Sequence, residues 1–573
     1  MATANPADRG IHRGLENDIL TGDGMKPVRL ILGGLMAIAA AATFLGAAGL
    51  LPARNLETGQ TANGPDWEAL GKRWWGHVQV LADDRMEGRD VGSKGFASAA
   101  KYVVKQFKEA GLQGAGVRGF EQPVEFNVAR IDESASSIEI LREGQAETVA
   151  LGEEGFFSPH ANGSGTFETA AVFVGFGLSV PELKHDDFAG VDLHGKIAVF
   201  VSGGPASMPA GIKAHAQSRD ERTKALRTRG ALGYVVIPNP TAAEVPWSRT
   251  MGARLGPKME LADGAAAGEP SLPLVLVFNP AHAEKLFAGS GHSFKEVLAD
   301  LNGEKETPHF ALAVKIRARE TVRTSKVKSK NLVGVLRGSD PELSKEFVVI
   351  SAHLDHLGIG EPVKGDKIYN GAMDDASGIA SLIEVARMMN ESGAKPRRSI
   401  LFLAVTGEEK GLLGSQYFAT HPTVAAKSVV ADLNMDMYLP LFALKYLEVQ
   451  GLEESTLGDD VTAVASLAGV QVQADKQPEH NRFIRSDQYS FIKKGVPALA
   501  FKFGWLPGTP EQKMFEEWYK ERYHGPADDL AQPVNAVGAA QFDSILETLA
   551  LRVADSGKRP EWKAGSFFQR YAQ

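Results

Sequence analysis

The sequence predicts an α/β protein, a mixed, mostly parallel sheet covered by helices, with a β-rich domain inserted ahead of the main helical-and-strand alternation. Three observations predict it. From Asn331 onward, apolar strand-like runs alternate with stretches of helical spacing, the pattern of parallel strands joined by helical crossovers. Residues 165–318 lack that alternation and show short β-rich runs between Gly/Pro-rich turns. The composition is ordinary for a globular chain, 43% hydrophobic and 23% charged over 573 residues, so a large core is available.

Taken in order, the first element is an uncharged apolar run, Leu30 to Leu51, preceded by Lys26 and Arg29. It is long enough to cross a bilayer, and its basic flank, apolar centre and small residues at 46–48 are those of an export signal. Residues 1–54 are expected to be an export signal or an N-terminal membrane anchor, which places the folded part outside the cytoplasm, periplasmic or secreted. Residues 55–66 read as a linker. Trp67 to Gly111 reads as helical, with Phe96, Ala100, Val103, Val104 and Phe107 at three-to-four spacing and Gly111 as its stop. Residues 122–160 read as short strands and turns. Within 165–318, the runs 171–176, 197–201, 234–237 and 274–278 read as strands and 218–229 as a basic helix; none carries His, Asp or Glu at ligand spacing. Residues 319–573 then form the main domain, with strands at 347–351, 400–405 and 429–437 and helices at 379–389, 412–419 and 534–554.

Composition also excludes chemistry. There is no cysteine, so disulfides, thiolate zinc sites, iron–sulfur clusters and a cysteine nucleophile are ruled out. A net charge of −8 argues against nucleic acid as a partner. Neither Gly-x-Ser-x-Gly nor His-Glu-x-x-His occurs. Gly114-Ala-Gly116-Val-Arg-Gly119 matches the dinucleotide fingerprint by letter only, since it follows a helix and opens none.

The residues that carry chemistry lie after residue 350, at the carboxyl ends of predicted strands, where open α/β sheets place their sites. His353-Leu-Asp355-His356 follows an apolar strand. Positions two apart on a strand share a face, so the Asp355 carboxylate is placed to orient the His353 imidazole; His356 reads as a loop histidine. Asp374 and Asp375 sit in a Gly-rich turn before a helix. Glu408 and Glu409 follow the strand at 400–405 and point in different directions, so one can ligate a metal while the other acts as a base. Asp436 ends an apolar run, where an unpaired carboxylate is costly. His524 lies in a loop before the last helix. Without thiols, His353, Asp374, Glu409, Asp436 and His524 suit two divalent metals sharing a carboxylate, about 3.5–4 Å apart, with Glu408 moving the proton of an attacking hydroxide.

This order and wording resemble the M28 metallopeptidases, the co-catalytic zinc aminopeptidase family. The resemblance rests on His353-x-Asp355, the stretch Gly371-Ala-Met-Asp374-Asp375-Ala-Ser-Gly378, Glu408-Glu409, Asp436 and His524. It implies a zinc exopeptidase-like core with two zinc ions: one held by His353, Asp374 and Asp436, the other by Asp374, Glu409 and His524. Asp374 then bridges, Glu408 is the general base and Asp355 supports His353. The stretch from Leu81 to Arg89 is similar to the family's helical lead-in, which makes residues 67–164 the N-terminal part of the peptidase domain. Residues 165–318 resemble a protease-associated (PA) domain. Met373 departs from the family pattern, where another acid or Asn is common. Peptides are the implied substrates, hydrolysed by an aminopeptidase. A carboxypeptidase or dipeptidase of the same family, a single-zinc glutaminyl cyclase-like acyltransferase and a non-catalytic receptor-like binding protein are the alternatives; the complete ligand set weighs against the last two. Arg482 and Arg485, near the expected pocket, suit either a substrate carboxylate or a surface role.

Overall fold

The computed structural model describes residues 64–572, apart from 244, 265, 267 and 306–308. The expected export segment 1–54 and residues 55–63 of the linker lie outside the described residues. No helix among the described residues is long and apolar enough to cross a membrane.

Two large sheets organise the chain. The main sheet runs, in spatial order, Lys258–Leu261, Glu121–Ile131, Val322–Leu336, Ser399–Val405, Phe347–His353, Val429–Asn434, Ala498–Gly504, Tyr446–Gln450 and Gln471–Gln473. Its heart is parallel: Phe347–His353 pairs in parallel with Ser399–Val405 and Val429–Asn434, and the latter with Ala498–Gly504. Antiparallel strands flank this heart on both sides. Every residue of Phe347–His353, Ser399–Val405 and Ala498–Gly504 is buried. Strands covered on both faces require this, and their near-continuous Val, Ile, Leu and Phe supply it.

Alternation then sorts side chains to two layers. Val348, Ile350 and Ala352 face a core shared with the helices Trp67–Leu81, Lys94–Glu109, Ser377–Glu391 and Ala536–Asp555. Phe347 and Val349 face the other layer, with Phe418 and Phe491 from the helices Leu413–Thr420 and Gln488–Ile492. The helix Lys94–Glu109 starts where the Ser93 side chain accepts from Phe96 N and stops at Ala110, followed by Gly111 at φ +78°.

The second sheet runs Gln145–Thr148, Ser137–Arg142, His309–Glu320, Gly165–Val174, Ile197–Val201, Gly233–Ile237, Leu274–Phe278 and Gly155–Phe157. It differs from the region 165–318 in three ways. It recruits strands from Ser137 onward. Its strand His309–Glu320 continues through Thr321 into Val322–Leu336 of the main sheet. And Lys258–Leu261, within that region by sequence, pairs with Glu121–Ile131 on the edge of the main sheet. Residues 121–131 form one long strand rather than the short pieces expected, with Gln122, Val124, Phe126 and Val128 buried on one side. Pro123 and the acids Glu121 and Glu125 mask this alternation in the sequence.

Candidate metal centre

The parallel strands end together, and their carboxyl ends build the site. His353 is the last residue of its strand. Its backbone N–H donates to Asp375 Oδ2 at 3.2 Å, and its Nδ1 lies 3.0 Å from the main-chain oxygen of Asp355. This corrects the expected role of Asp355. The strand ends at His353, so Asp355 does not share its face, and a carbonyl rather than a carboxylate orients the imidazole. The Asp355 carboxylate instead accepts from Glu408 N at 3.2 Å and so fixes the start of the Glu408–Glu409 turn.

The pair Asp374–Asp375, joined by a cis peptide, divides its labour. Asp375 is clasped by backbone: Oδ1 accepts from Gly378 N (3.1 Å) and Met437 N (3.2 Å), Oδ2 from His353 N. Three strand and helix ends are tied by one carboxylate. A Cβ at Gly378 would fall 2.5 Å from Asp375 Oδ2, so glycine is required there. Asp374 keeps its oxygens for side chains. Oδ1 lies 3.1 Å from His353 Nε2, and Oδ2 lies 3.3 Å from His524 Nε2 and 3.9 Å from His356 Nδ1. Asp436 Oδ1 is 3.6 Å from His353 Nε2, and Glu409 Oε2 is 3.1 Å from His524 Nε2. Asp436 lies just past its strand, which stops at Asn434. The five residues expected as ligands are thus gathered within one cleft, with one oxygen of Asp374 facing each histidine group.

His356 is a further correction. It lies in a loop as expected, but it is fully buried, and its Nδ1 lies 2.6 Å from Glu409 Oε1. His353 with Asp375 and Asp436, and His356 with Asp374 and Glu409, each bring donor atoms within 4.8 Å of one another. Asp375 belongs to the first group by distance, but its two oxygens are already engaged by three amides.

These residues fit a metal. His353 Nε2, both ring nitrogens of His356 and Glu409 Oε1 are buried and complete no hydrogen bond, despite their short separations. Donor atoms that converge without pointing at one another are aimed at a shared centre. Imidazole nitrogens and carboxylate oxygens without thiols suit zinc.

The electrostatics follow from burial and crowding. Burial disfavours a charged His353, but the carboxylates of Glu408, Asp374 and Asp436 outweigh it and raise its pKa well above the usual range. His524 is likewise raised, to about 10, against burial, by Glu409 and Asp374. The surrounding imidazoles hold Asp374 well below the ordinary carboxylate range and lower Glu409, although burial opposes both. Burial pushes Glu408 well above it, reinforced by Asp436, Glu409 and Asp487. In the metal-free chain, protons on His353 and His524 balance the carboxylates.

Two buried residues that sequence reasoning left unassigned position this cluster. Asp528 accepts from Met373 N (2.9 Å) and Asp374 N (3.0 Å), fixing the turn that carries Asp374. Arg89 donates to four carbonyls: Leu81 (2.7 Å), Leu354 (2.9 Å), Asn370 (2.6 Å) and Gly371 (2.9 Å). Both residues fall in stretches the family resemblance covers. Neither stands out locally, since Arg89 follows Asp83, Asp84, Arg85 and Glu87 and Asp528 adjoins Asp529.

A carboxylate set between two histidine-bearing groups, at the carboxyl ends of parallel strands, is a donor set suited to metal in an α/β fold. Residues 331–549, which hold every one of these ligand residues, match the model of peptidase family M28. The chain is 25% identical over 410 residues to the glutamate carboxypeptidase 2 homolog of Caenorhabditis elegans, covering 60% of this chain and 49% of that protein. It is 36% identical over 107 residues to a probable zinc metalloprotease of Pyrenophora tritici-repentis, covering 18% of this chain and 23% of that one. The chain thus spans about half the length, or less, of these curated relatives. Its fold is similar to that of an aminopeptidase from Aneurinibacillus sp. strain AM-1, with a TM-score of 0.52 at 20% identity over 86% of this chain and 96% of that one.

Proposed function

We propose that the chain is an exported two-zinc exopeptidase, acting as an aminopeptidase. The observation that carries this is Asp374, whose two oxygens face separate histidine groups. His353, Asp374 and Asp436 would hold one zinc ion; Asp374, Glu409 and His524 would hold the other, with His356 against Glu409. When bound, zinc supplies Lewis acidity, making water more acidic and polarising a peptide carbonyl.

The chain's own residues do the rest. Glu408 is half-buried beside Asp436 and His353, and its backbone is pinned by Asp355. Its carboxylate takes the proton of the attacking water and returns it to the leaving amine as the C–N bond breaks. Asp375, Asp528 and Arg89 hold the ligand-bearing loops in register, which keeps the reacting groups at fixed separation. Residues 1–54 as export signal or anchor and residues 165–318 as a protease-associated insert belong to the same proposal.

Glu408→Gln tests the mechanism. Zinc content should stay unchanged while kcat for an N-terminally free peptide falls by about 10²–10⁴-fold, the range for general acid–base catalysis. Retained turnover would remove Glu408 from its role. A carboxypeptidase is the second reading, favoured by the printed name of the Caenorhabditis elegans relative. Peptides blocked at one end or the other separate the two.

A further inference from the structure

His524 is the least enclosed of the residues gathered at the metal centre. Its side chain is 33% exposed, whereas those of His353, His356, Asp374, Glu409 and Asp436 reach 16% at most. It is also the only one of them at positive φ, +53°, a region that residues with a Cβ seldom adopt. Such a conformation persists only where the surrounding structure fixes it. Within the loop itself the support is short-range. Tyr523 N donates to the Trp518 carbonyl at 3.2 Å as the chain leaves the helix Pro510–Glu521, and Gly525 N donates to the Arg522 carbonyl at 2.8 Å. The Tyr523 ring centroid lies 4.0 Å from that of His524.

Arg249 reaches this loop from a distant part of the sequence. Its Nη1 donates to the Tyr523 carbonyl, the group bonded to the His524 nitrogen, and its Nη2 donates to the Lys520 carbonyl at 2.8 Å. Carbonyls in the last turn of a helix lack partners within it, and a cation there meets the negative end of the helix dipole. One planar fork thus caps the helix and holds the peptide unit that leads into His524. Burial raises the Tyr369 phenol and the Arg249 charge opposes this, so the same guanidinium stands near the end of the strand Asp366–Tyr369, which leads into the turn of Asp374.

Arg249 is itself anchored elsewhere. It lies on the helix Trp247–Gly252, six residues long and too short to hold by itself. Trp247 Nε1 donates to the Gly152 carbonyl at 3.0 Å, and its ring lies 5.5 Å from that of Phe156 in the second sheet. Just past the helix, Arg254 forks onto the Glu133 carboxylate at 2.9 and 3.2 Å.

We infer that Arg249 is a positioning residue for His524, and that through it the second sheet sets how tightly the metal position of Asp374, Glu409 and His524 is filled. The inference rests on the two-zinc reading for the position it names, while the clamp on the loop can be read without metal.

The test compares the unaltered full chain with Arg249→Met and Arg249→Lys. Methionine keeps an aliphatic stem and removes both bonds; lysine keeps the charge. In a two-step zinc titration by chelator competition, Arg249→Met should weaken one position about 10–100-fold, the range for residues that orient metal ligands, and leave the other within about twofold. Arg249→Lys should recover part of that loss. Amide hydrogen exchange of the metal-free chain should quicken about tenfold or more across residues 520–525 in Arg249→Met and stay unchanged across 350–356. A merely structural role would weaken both zinc positions and loosen both segments alike, and that result overturns the inference. Unchanged affinities with unchanged exchange also overturn it and leave the two-zinc reading standing. One zinc ion in the unaltered chain overturns the two-zinc reading. Exchange then decides the clamp: faster exchange confined to 520–525 upholds it, and unaltered exchange removes it.

Discussion

Arg89→Met is predicted to be among the most damaging single changes in the protein. The Arg89 guanidinium is fully buried and bonds four carbonyls drawn from three separate segments. Burial lowers its pKa, while Asp528, Asp374, Asp375 and Asp355 pull the other way and keep it charged. Hydrogen bonds to charged groups contribute about 1.5–3 kcal/mol each, so four give an upper bound of about 6–12 kcal/mol. The cost of burying the charge offsets much of this. A net loss of about 4 kcal/mol is expected, in the exceptional tail for point substitutions. Leu354, Asn370 and Gly371 flank His353, His356 and Asp374, so zinc affinity should also fall about 10–100-fold, as for other supports of metal ligands. Urea unfolding of the metal-free chain reads the first quantity, and chelator competition reads the second. A stability change under about 1 kcal/mol with zinc affinity unaltered would refute the reasoning.

Four further outcomes follow from the same geometry. Asp528→Asn, which swaps an acceptor of the Met373 and Asp374 amides for a partial donor, should weaken zinc binding measurably in chelator competition while leaving the far-UV circular dichroism intact. His356→Ala should lower the affinity of one zinc and spare the other, seen as a split in a two-step zinc titration, because its Nδ1 faces Glu409 and not Asp436. His524 has a folded pKa of about 10, above its ordinary value; the stability it contributes to the metal-free chain is therefore fully present below about pH 6.5 and lost as pH rises through about 10. The urea midpoint of the metal-free chain should fall across that window, and less so in His524→Ala. Glu320 is buried with both carboxyl oxygens unpaired and is pushed up to about 8, so stability falls as pH rises from about 4.3, where the unfolded chain ionises it, through about 8; Glu320→Gln should stabilise the chain at pH 9 and leave it unchanged at pH 4.

The parallel heart of the main sheet was legible because its strands are apolar on both faces. Runs such as 347–351 and 400–405 need no alternation to be recognised, and the helices between them repeat at helical spacing. Strand 121–131 was less legible, since its buried face includes Gln122 and its length is broken by Pro123. The placement of Lys258–Leu261 on the main sheet depends on a partner more than a hundred residues away, which local pattern does not carry. The site divides the same way. His353, Glu408, Glu409 and Asp436 stand at or just past the ends of parallel strands, where side-chain chemistry and position coincide, while Asp374 and His524 lie in turns next to helices. The loop position of His356 was legible but its burial was not, because that burial comes from Arg89 and Gly371, whose backbone and loop close over it. Asp355 was given the wrong atom, since the strand ends two residues earlier than its side-chain role required. Arg89 and Asp528 act on backbone groups, and no spacing rule marks such contacts.

The central claim is that Asp374 joins two metal positions. Zinc content per chain, measured by mass spectrometry after equilibration with zinc and removal of the excess, tests it most directly. The account predicts two zinc ions in the unaltered chain and loss of tight binding at both positions in Asp374→Ala. One zinc ion in the unaltered chain, or two retained in Asp374→Ala, would contradict it.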